Sequence, residues 1–164
     1  MFPDEACRTV ASVPDLKLDA FLPYRLSLAS NRLSDAVAGT YRTLFGLRIP
    51  EWRLIAVLAE SDGLTQQALG RRTRMDKVTV SRAAIALAER ALIVRAPNPG
   101  DQRSHLLALS AAGRTLYADI APKALEIEGR IFAAFDADEL AAFRSMLARI
   151  ETAVDRLERG PHPS

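Results

Sequence analysis

What this sequence lacks narrows its function before any motif is read. Cysteine occurs once, at Cys7, so no intrachain disulfide framework exists and a reducing cytoplasm is the expected setting. Histidine occurs twice, at His105 and His162. With so few candidate groups there is no metal-spaced cluster, and no nucleophile elbow or phosphate-cradling glycine loop is present, so neither an enzyme nor a cofactor is expected. No apolar run reaches the roughly 18 residues of a membrane helix, and Asp4 and Glu5 are out of place in a signal peptide, so no membrane partner is expected either. A strong overall charge is also missing: 22 Lys and Arg against 20 Asp and Glu leave +2.

The charge is uneven along the chain, and that is the first positive sign. Between Thr65 and His105 stand Arg71, Arg72, Arg74, Lys77, Arg82, Arg90, Arg95 and Arg103 against only Asp76, Glu89 and Asp101. The remainder carries 14 cations and 17 anions, so a basic middle sits in an acidic frame. That distribution suits a polyanion held by one region of a chain whose 164 residues suffice for one sizeable core.

The same middle has a legible order of elements. Thr65 can cap a short helix ending near Thr73, and Asp76 can cap a second that runs without Gly or Pro. At about 100° per residue, Val80, Ala83, Ala84, Leu87 and Ala91 fall on one face of the second helix. Val78, Ser81, Arg82 and Ile85 fall on the other. An outward Arg, a hydroxyl and two apolar groups can read guanine edges, other acceptors and thymine methyls in a major groove; an ordinary surface helix would look much the same. Two short apolar runs follow, Leu92 to Ala96 and His105 to Leu109, separated by Pro97, Asn98, Pro99 and Gly100. They predict a hairpin with Asp101 and Arg103 at its tip, where a long cation can enter a narrow minor groove and Asp101 can orient the guanidinium.

The residues Asp76-Lys-Val-Thr-Val-Ser-Arg82, Leu87-Ala-Glu-Arg-Ala-Leu-Ile93, Asp101-Gln-Arg-Ser104 and Leu109-Ser-Ala-Ala-Gly113 resemble the winged helix-turn-helix of the MarR family of bacterial transcription regulators. The resemblance implies a mainly α fold with a small β-hairpin wing, flanked by N- and C-terminal helices that form a dimerisation body. It implies double-stranded DNA as partner, contacted by Lys77, Val78, Thr79, Ser81, Arg82, Asp101 and Arg103. One departure is Ala91, where such sequences usually carry Gly; if that residue must take φ > 0, Ala costs on the order of 1 kcal/mol.

The flanks are read by periodicity. Leu16 to Phe45 predicts a long first helix, adjusted at Pro23 and ended by Gly46, with Leu26, Leu33, Val37, Tyr41 and Leu44 recurring on one side. Pro50 opens a second helix. Ser110 can cap a fifth, reaching to about Phe135, with Leu116, Ile120, Ala124, Ile127 and Ile131 as its buried stripe and Pro122 as a kink. Asp136 with Glu139 resembles a capping box for the last helix. There Leu140, Phe143, Leu147, Ile150, Val154 and Leu157 are spaced 3, 4, 3, 4, 3. Such a seam predicts lengthwise helix packing, either within the chain against the first helix or in a homodimer interface, which is the reading preferred here. The expected organisation is a loose arm at 1–14, a helical body from 15–48 and 110–159, a winged domain at 49–109 and a disordered tail at 160–164.

Resemblance to the family further implies a repressor released by a small molecule, often an aromatic or phenolic acid. The segment FLPYRLSLASNR resembles the members tied to aromatic catabolism. Arg25 could then pair with a carboxylate, Ser30 bond a polar substituent, Trp52 stack on a ring and Arg71 close the site. Two alternatives stay open on sequence: a redox-switched regulator sensing through Cys7, and a winged helix used for protein contacts only.

Overall fold

A computed structural model describes residues 16–160. Cys7, His162, the arm expected at 1–14 and nearly all of the tail lie outside the described residues. The chain divides into two compact units, residues 1–49 and 50–164, each taken by itself below.

In the first unit, helix α1 spans Leu22–Phe45. It starts six residues later than the periodicity suggested, and Pro23 is the reason. Proline lacks an N–H and its ring collides with the carbonyl four residues back, so it belongs in a first turn and not inside a helix. Before it the chain makes a tight turn instead, with Ala20 N–H donating to Lys17 O at 3.0 Å and Phe21 N–H to Leu18 O at 3.1 Å. Gly46 ends α1 in the left-handed region (φ 61°), its N–H bonded to Arg42 O at 3.0 Å. Tyr41 and Leu47 are buried, whereas Leu26, Leu33 and Leu44 of the expected stripe are exposed.

The second unit holds α2 (Ile49–Ala59, whose first residue closes the other unit), α3 (Gln66–Thr73), α4 (Lys77–Glu89), β1 (Ile93–Pro97), β2 (His105–Leu109), α5 (Ala111–Ile131) and α6 (Ala137–Glu158). The strands form one antiparallel hairpin with Ile93 opposite Leu109 and Pro97 opposite His105. Pro97, expected in the loop, is the last residue of β1, a strand-end position that a residue without an N–H tolerates. Leu54, Ile55 and Leu58 of α2, Leu69 of α3, Leu87 of α4 and Leu107 of β2 are almost wholly removed from water. At roughly 1.5–3 kcal/mol per fully buried aliphatic side chain, these are the principal stabilising groups of the unit.

The long C-terminal helices behave differently. Helix α5 is capped by Ser110, which accepts from Gly113 N–H at 3.0 Å, but it ends at Ile131 and not near Phe135. Phe132 turns back and its ring meets those of Phe135 and Phe143 at centroid distances of 5.9 and 6.4 Å, so aromatic packing competes with another helical turn. Of the expected stripe only Ile120 is buried; Leu116, Ala124 and Ile127 are half-buried and Ile131 is exposed. The capping box is complete: Glu139 N–H donates to Asp136 Oδ1 at 2.8 Å and Asp136 N–H to Glu139 Oε2 at 2.9 Å. No residue of α6 is buried. Among the described residues no helix is long and apolar enough to cross a membrane.

Candidate nucleic-acid interface

Local chemistry sets the angle between α3 and α4. Thr65 caps α3 by accepting from Ala68 N–H at 3.2 Å, and Thr73 Oγ1 donates back to Leu69 O at 2.7 Å as the helix closes. Arg74 then takes a left-handed conformation (φ 53°), which turns the chain for α4. Its guanidinium reaches Asp155 at 2.9 Å and Glu158 at 3.9 Å on α6, a tie across 81 residues of sequence that periodicity does not reveal. Asp76 caps α4 doubly: Thr79 N–H donates to Oδ1 at 2.9 Å and Thr79 Oγ1 to Oδ2 at 2.6 Å. Those two bonds hold the Asp76 carboxyl below the usual carboxylate range.

With its start so fixed, α4 presents the two faces expected of it. Val80, Ala83, Ala84 and Leu87 are buried; Val78 is 57% exposed, Ile85 47%, and Lys77 and Arg82 also face water, with Ser81 and Thr79 half-covered. Ala91 does not join the buried face, because α4 stops at Glu89 and Ala91 is exposed in the left-handed region (φ 53°). That turn is fastened from below. Ser110 Oγ donates to Ala91 O at 2.7 Å and Ser110 N–H to Leu92 O at 3.1 Å. Gly113 lies so near the Leu92 carbonyl that any Cβ would collide with it, which explains a glycine within the first turn of α5.

The wing is tied at both ends. At its root, Leu64 and Leu107 exchange two backbone hydrogen bonds of 2.9 and 2.8 Å, joining β2 to the segment that precedes α3. At its tip, Asn98 Nδ2 donates to Ser104 Oγ at 2.8 Å, Asn98 Oδ1 accepts from Gly100 N–H at 3.0 Å, and Ser104 N–H donates to Asp101 O at 3.0 Å. Asp101 accepts from the backbone N–H of Arg103 at 3.0 Å, and not from its guanidinium as the sequence suggested. A carboxylate satisfied by the amide two residues on forms a compact turn without ordering a long side chain. The acid therefore shapes the loop, and the exposed Arg103 side chain projects from it.

The residues considered for an effector are distributed over both units. Arg25 and Ser30 are exposed on α1. Trp52 is half-buried on α2 and stacks on Tyr117 of α5, with centroids 6.1 Å apart and planes 16° apart. Arg71, on α3, borders a cavity of about 440 Å³ together with Met75, Lys77 and Val80. Among the described residues, no group of three or more acidic, histidine or cysteine side chains could hold a metal ion.

A model of the MarR family matches residues 45–104, from the end of α1 to the tip of the wing. A MarR/EmrR family transcriptional regulator from Acinetobacter sp. ADP1 superimposes with a TM-score of 0.80 at 25% identity, over 86% of this chain and 99% of that one. A probable transcriptional regulator from Pseudomonas aeruginosa is 31% identical over 82% of this chain and 99% of its own, with a TM-score of 0.69. CouR from Rhodococcus jostii RHA1, bound to p-coumaroyl-CoA, shares the fold with a TM-score of 0.72 at 24% identity, over 83% and 95% of the two chains. No curated protein matches the sequence. The capped helix pair, the fastened wing and these likenesses together make the chain a member of the MarR family of transcriptional regulators.

Proposed function

We propose that two copies of the chain bind one inverted-repeat DNA operator, each inserting α4 in a major groove and its wing in the neighbouring minor groove. The observation that carries this is the exposed side of α4, where Lys77, Val78, Arg82 and Ile85 stand in water beside a wing whose loop bonds leave Arg103 projecting. Arg82 donates to a guanine, Ser81 to a neighbouring acceptor, and Val78 touches a thymine methyl. Lys77 and Thr79 serve the backbone, and Arg103 enters the minor groove from a loop that Asp101 shapes.

A single winged domain discriminates weakly, since each good base contact is worth only about 1–3 kcal/mol. Pairing doubles the sum and requires half-sites roughly 34 Å apart. Support for pairing comes from α6, where Phe143, Leu147, Ile150 and Val154 are 36–45% exposed in the single chain and form one heptad seam with the half-covered Leu140. In this reading residues 15–48 and 110–159 build the dimer body and 49–109 the reading head.

The regulator acts as a repressor released by a small aromatic or phenolic acid. The effector class is supported by the aromatic ligand of CouR, a protein of the same fold, and by the chemistry of Arg25, Ser30, Trp52 and Arg71. A ligand that prefers a head spacing unsuited to DNA releases it by its differential affinity for the two spacings.

Fluorescence anisotropy with fragments flanking the chain's own gene tests the DNA reading, with random DNA as reference. Wild type should prefer one fragment, and Arg82→Ala should lose most of that preference, about 1–3 kcal/mol per site, while non-specific binding persists. Equal affinity of wild type for all fragments at low salt would overturn it. Calorimetric titration with hydroxybenzoates and cinnamates tests the effector; no heat from any acid, with DNA binding intact, would remove that part alone.

A further inference from the structure

The inner face of the wing changes character along its length. Ile93 and Leu109 are register partners, as are Arg95 and Leu107, and Pro97 and His105, so all six side chains leave the hairpin on one side. At the root this side is apolar and covered: Ile93, Leu109 and Leu107 are at most 5% exposed. Toward the tip it becomes basic, with Arg95 and His105 in water. The backbone bridge between Leu64 and Leu107 brings the opening residues of α3 alongside, and between them lies a groove of about 420 Å³. Arg95, Arg103, His105, Gln66 and Gln67 line it. Its one acid, Asp101, is engaged by the backbone of Arg103, and the hydroxyl of Thr65 is turned to Ala68. Among the described residues neither Arg95 nor Arg103 is in an ion pair.

We infer that this groove between the wing and α3 clamps a backbone phosphate of the DNA, with Arg95 as its charged contact and Gln66, Gln67 and His105 as hydrogen-bonding walls. The inference rests on the DNA reading above and adds a contact distinct from α4 and from the wing tip. Charge and shape select the occupant. The groove offers the Arg95 guanidinium and several amides but only one aliphatic residue, the almost fully covered Leu107, so it provides no floor for the ring of an aromatic acid. A phosphodiester needs none. Arg supplies a planar donor fork that suits phosphate oxygens, and such contacts fix register without reading sequence.

The test is the salt dependence of binding by full-length Arg95→Ala and Arg95→Lys. One phosphate lost per protomer is two per dimer, so the slope of log affinity against log salt should fall by about two in Arg95→Ala. Affinity should drop by a similar factor on operator and on random DNA, leaving their ratio unchanged, and Arg95→Lys should recover much of the slope. An unchanged slope in Arg95→Ala, with wild-type melting temperature, overturns the clamp. So does an unchanged slope accompanied by loss of the response to aromatic acids, which would make the groove an effector site. Failure of the DNA reading itself is separate, because wild type would then show no preferred fragment at all.

Discussion

Helices α4 and α6 carry similar amphipathic patterns, yet their apolar faces end in opposite conditions. On α4, Val80, Ala83, Ala84 and Leu87 are sealed within the chain, and what remains exposed is a mixed face of two aliphatic side chains, a lysine and an arginine. On α6 the seam from Leu140 to Leu157 is longer and more regular, and none of it is buried. Monomeric proteins rarely leave so continuous an apolar strip in water, so the contrast separates a helix completed by its own fold from one that, in the proposed reading, a second copy completes. Regular spacing predicts that a face packs; it does not say whose surface it packs against.

The strongest way to break this comparison is to charge the seam. Leu147→Asp with Ile150→Asp places two carboxylates where the proposed partner would bury them, unpaired, at a cost of several kcal/mol each. The dimer dissociation constant should rise by roughly a hundredfold or more, read by sedimentation velocity, and operator binding should fall with it. The helical signal of the monomer should persist, since both positions already face water in the single chain. Leu87→Ala is the counterpart on α4: a fully buried side chain removed, with a stability loss of about 2–5 kcal/mol by chemical denaturation. If the α6 variant lost as much stability as is expected of Leu87→Ala while the wild type sedimented as a monomer, the seam would belong to the chain's own core.

What was legible in the sequence was local. The caps at Thr65, Asp76, Ser110 and Asp136 all form, because each is a short side chain bonding an amide three residues on. The two faces of α4 follow from a period of 3.6, and the strand His105–Leu109 from a short apolar run bounded by turn residues. The misses have specific physical causes. The start of α1 depended on steric exclusion at Pro23, and the end of α5 on aromatic rings that meet across a turn. Asp101 had two donors within reach, and the nearer amide prevailed over the flexible guanidinium. In the candidate interface the helix face and wing tip were visible in the residues, whereas the groove beside Arg95 required the bridge between Leu64 and Leu107, residues far apart in the sequence. The alternation of Arg95 and His105 with apolar neighbours was a signal for that face of the wing.

A smaller perturbation sharpens the same contrast between local fit and distant partners. Ala91 and Arg74 are the two non-glycine residues with positive φ among those described, both 53°. Ala91 is exposed and its methyl group can form no hydrogen bond to offset the conformation, so Ala91→Gly should stabilise the winged domain by about 0.5–1 kcal/mol, raising the melting temperature by a few degrees. Arg74→Gly relieves the same backbone but removes the exposed ion pairs to Asp155 and Glu158, themselves worth roughly 0–1 kcal/mol, so its net effect should lie nearer zero. Equal stabilisation by both substitutions would mean that the link from the turn to α6 contributes nothing.

The smallest expected effect is that of pH on the cap of α4. Thr79 lowers the pKa of Asp76 through its hydroxyl and its N–H, so the ionised carboxylate is favoured more in the folded chain than in the unfolded one. The stabilisation is complete above the unfolded pKa, near 4, and is lost as pH falls through the lower folded value. Asp76→Asn keeps a capping oxygen but no charge. The melting temperature of wild type should therefore exceed that of Asp76→Asn around pH 6, and the gap should narrow steadily toward about pH 2.5. Glu126, held low by its hydrogen bond to Lys123 on α5, adds an acid-sensitive slope to both proteins and cancels in the difference. A gap that stayed constant across this range would show that the cap on α4 acts through its oxygen alone, with the carboxylate charge contributing nothing to where that helix begins.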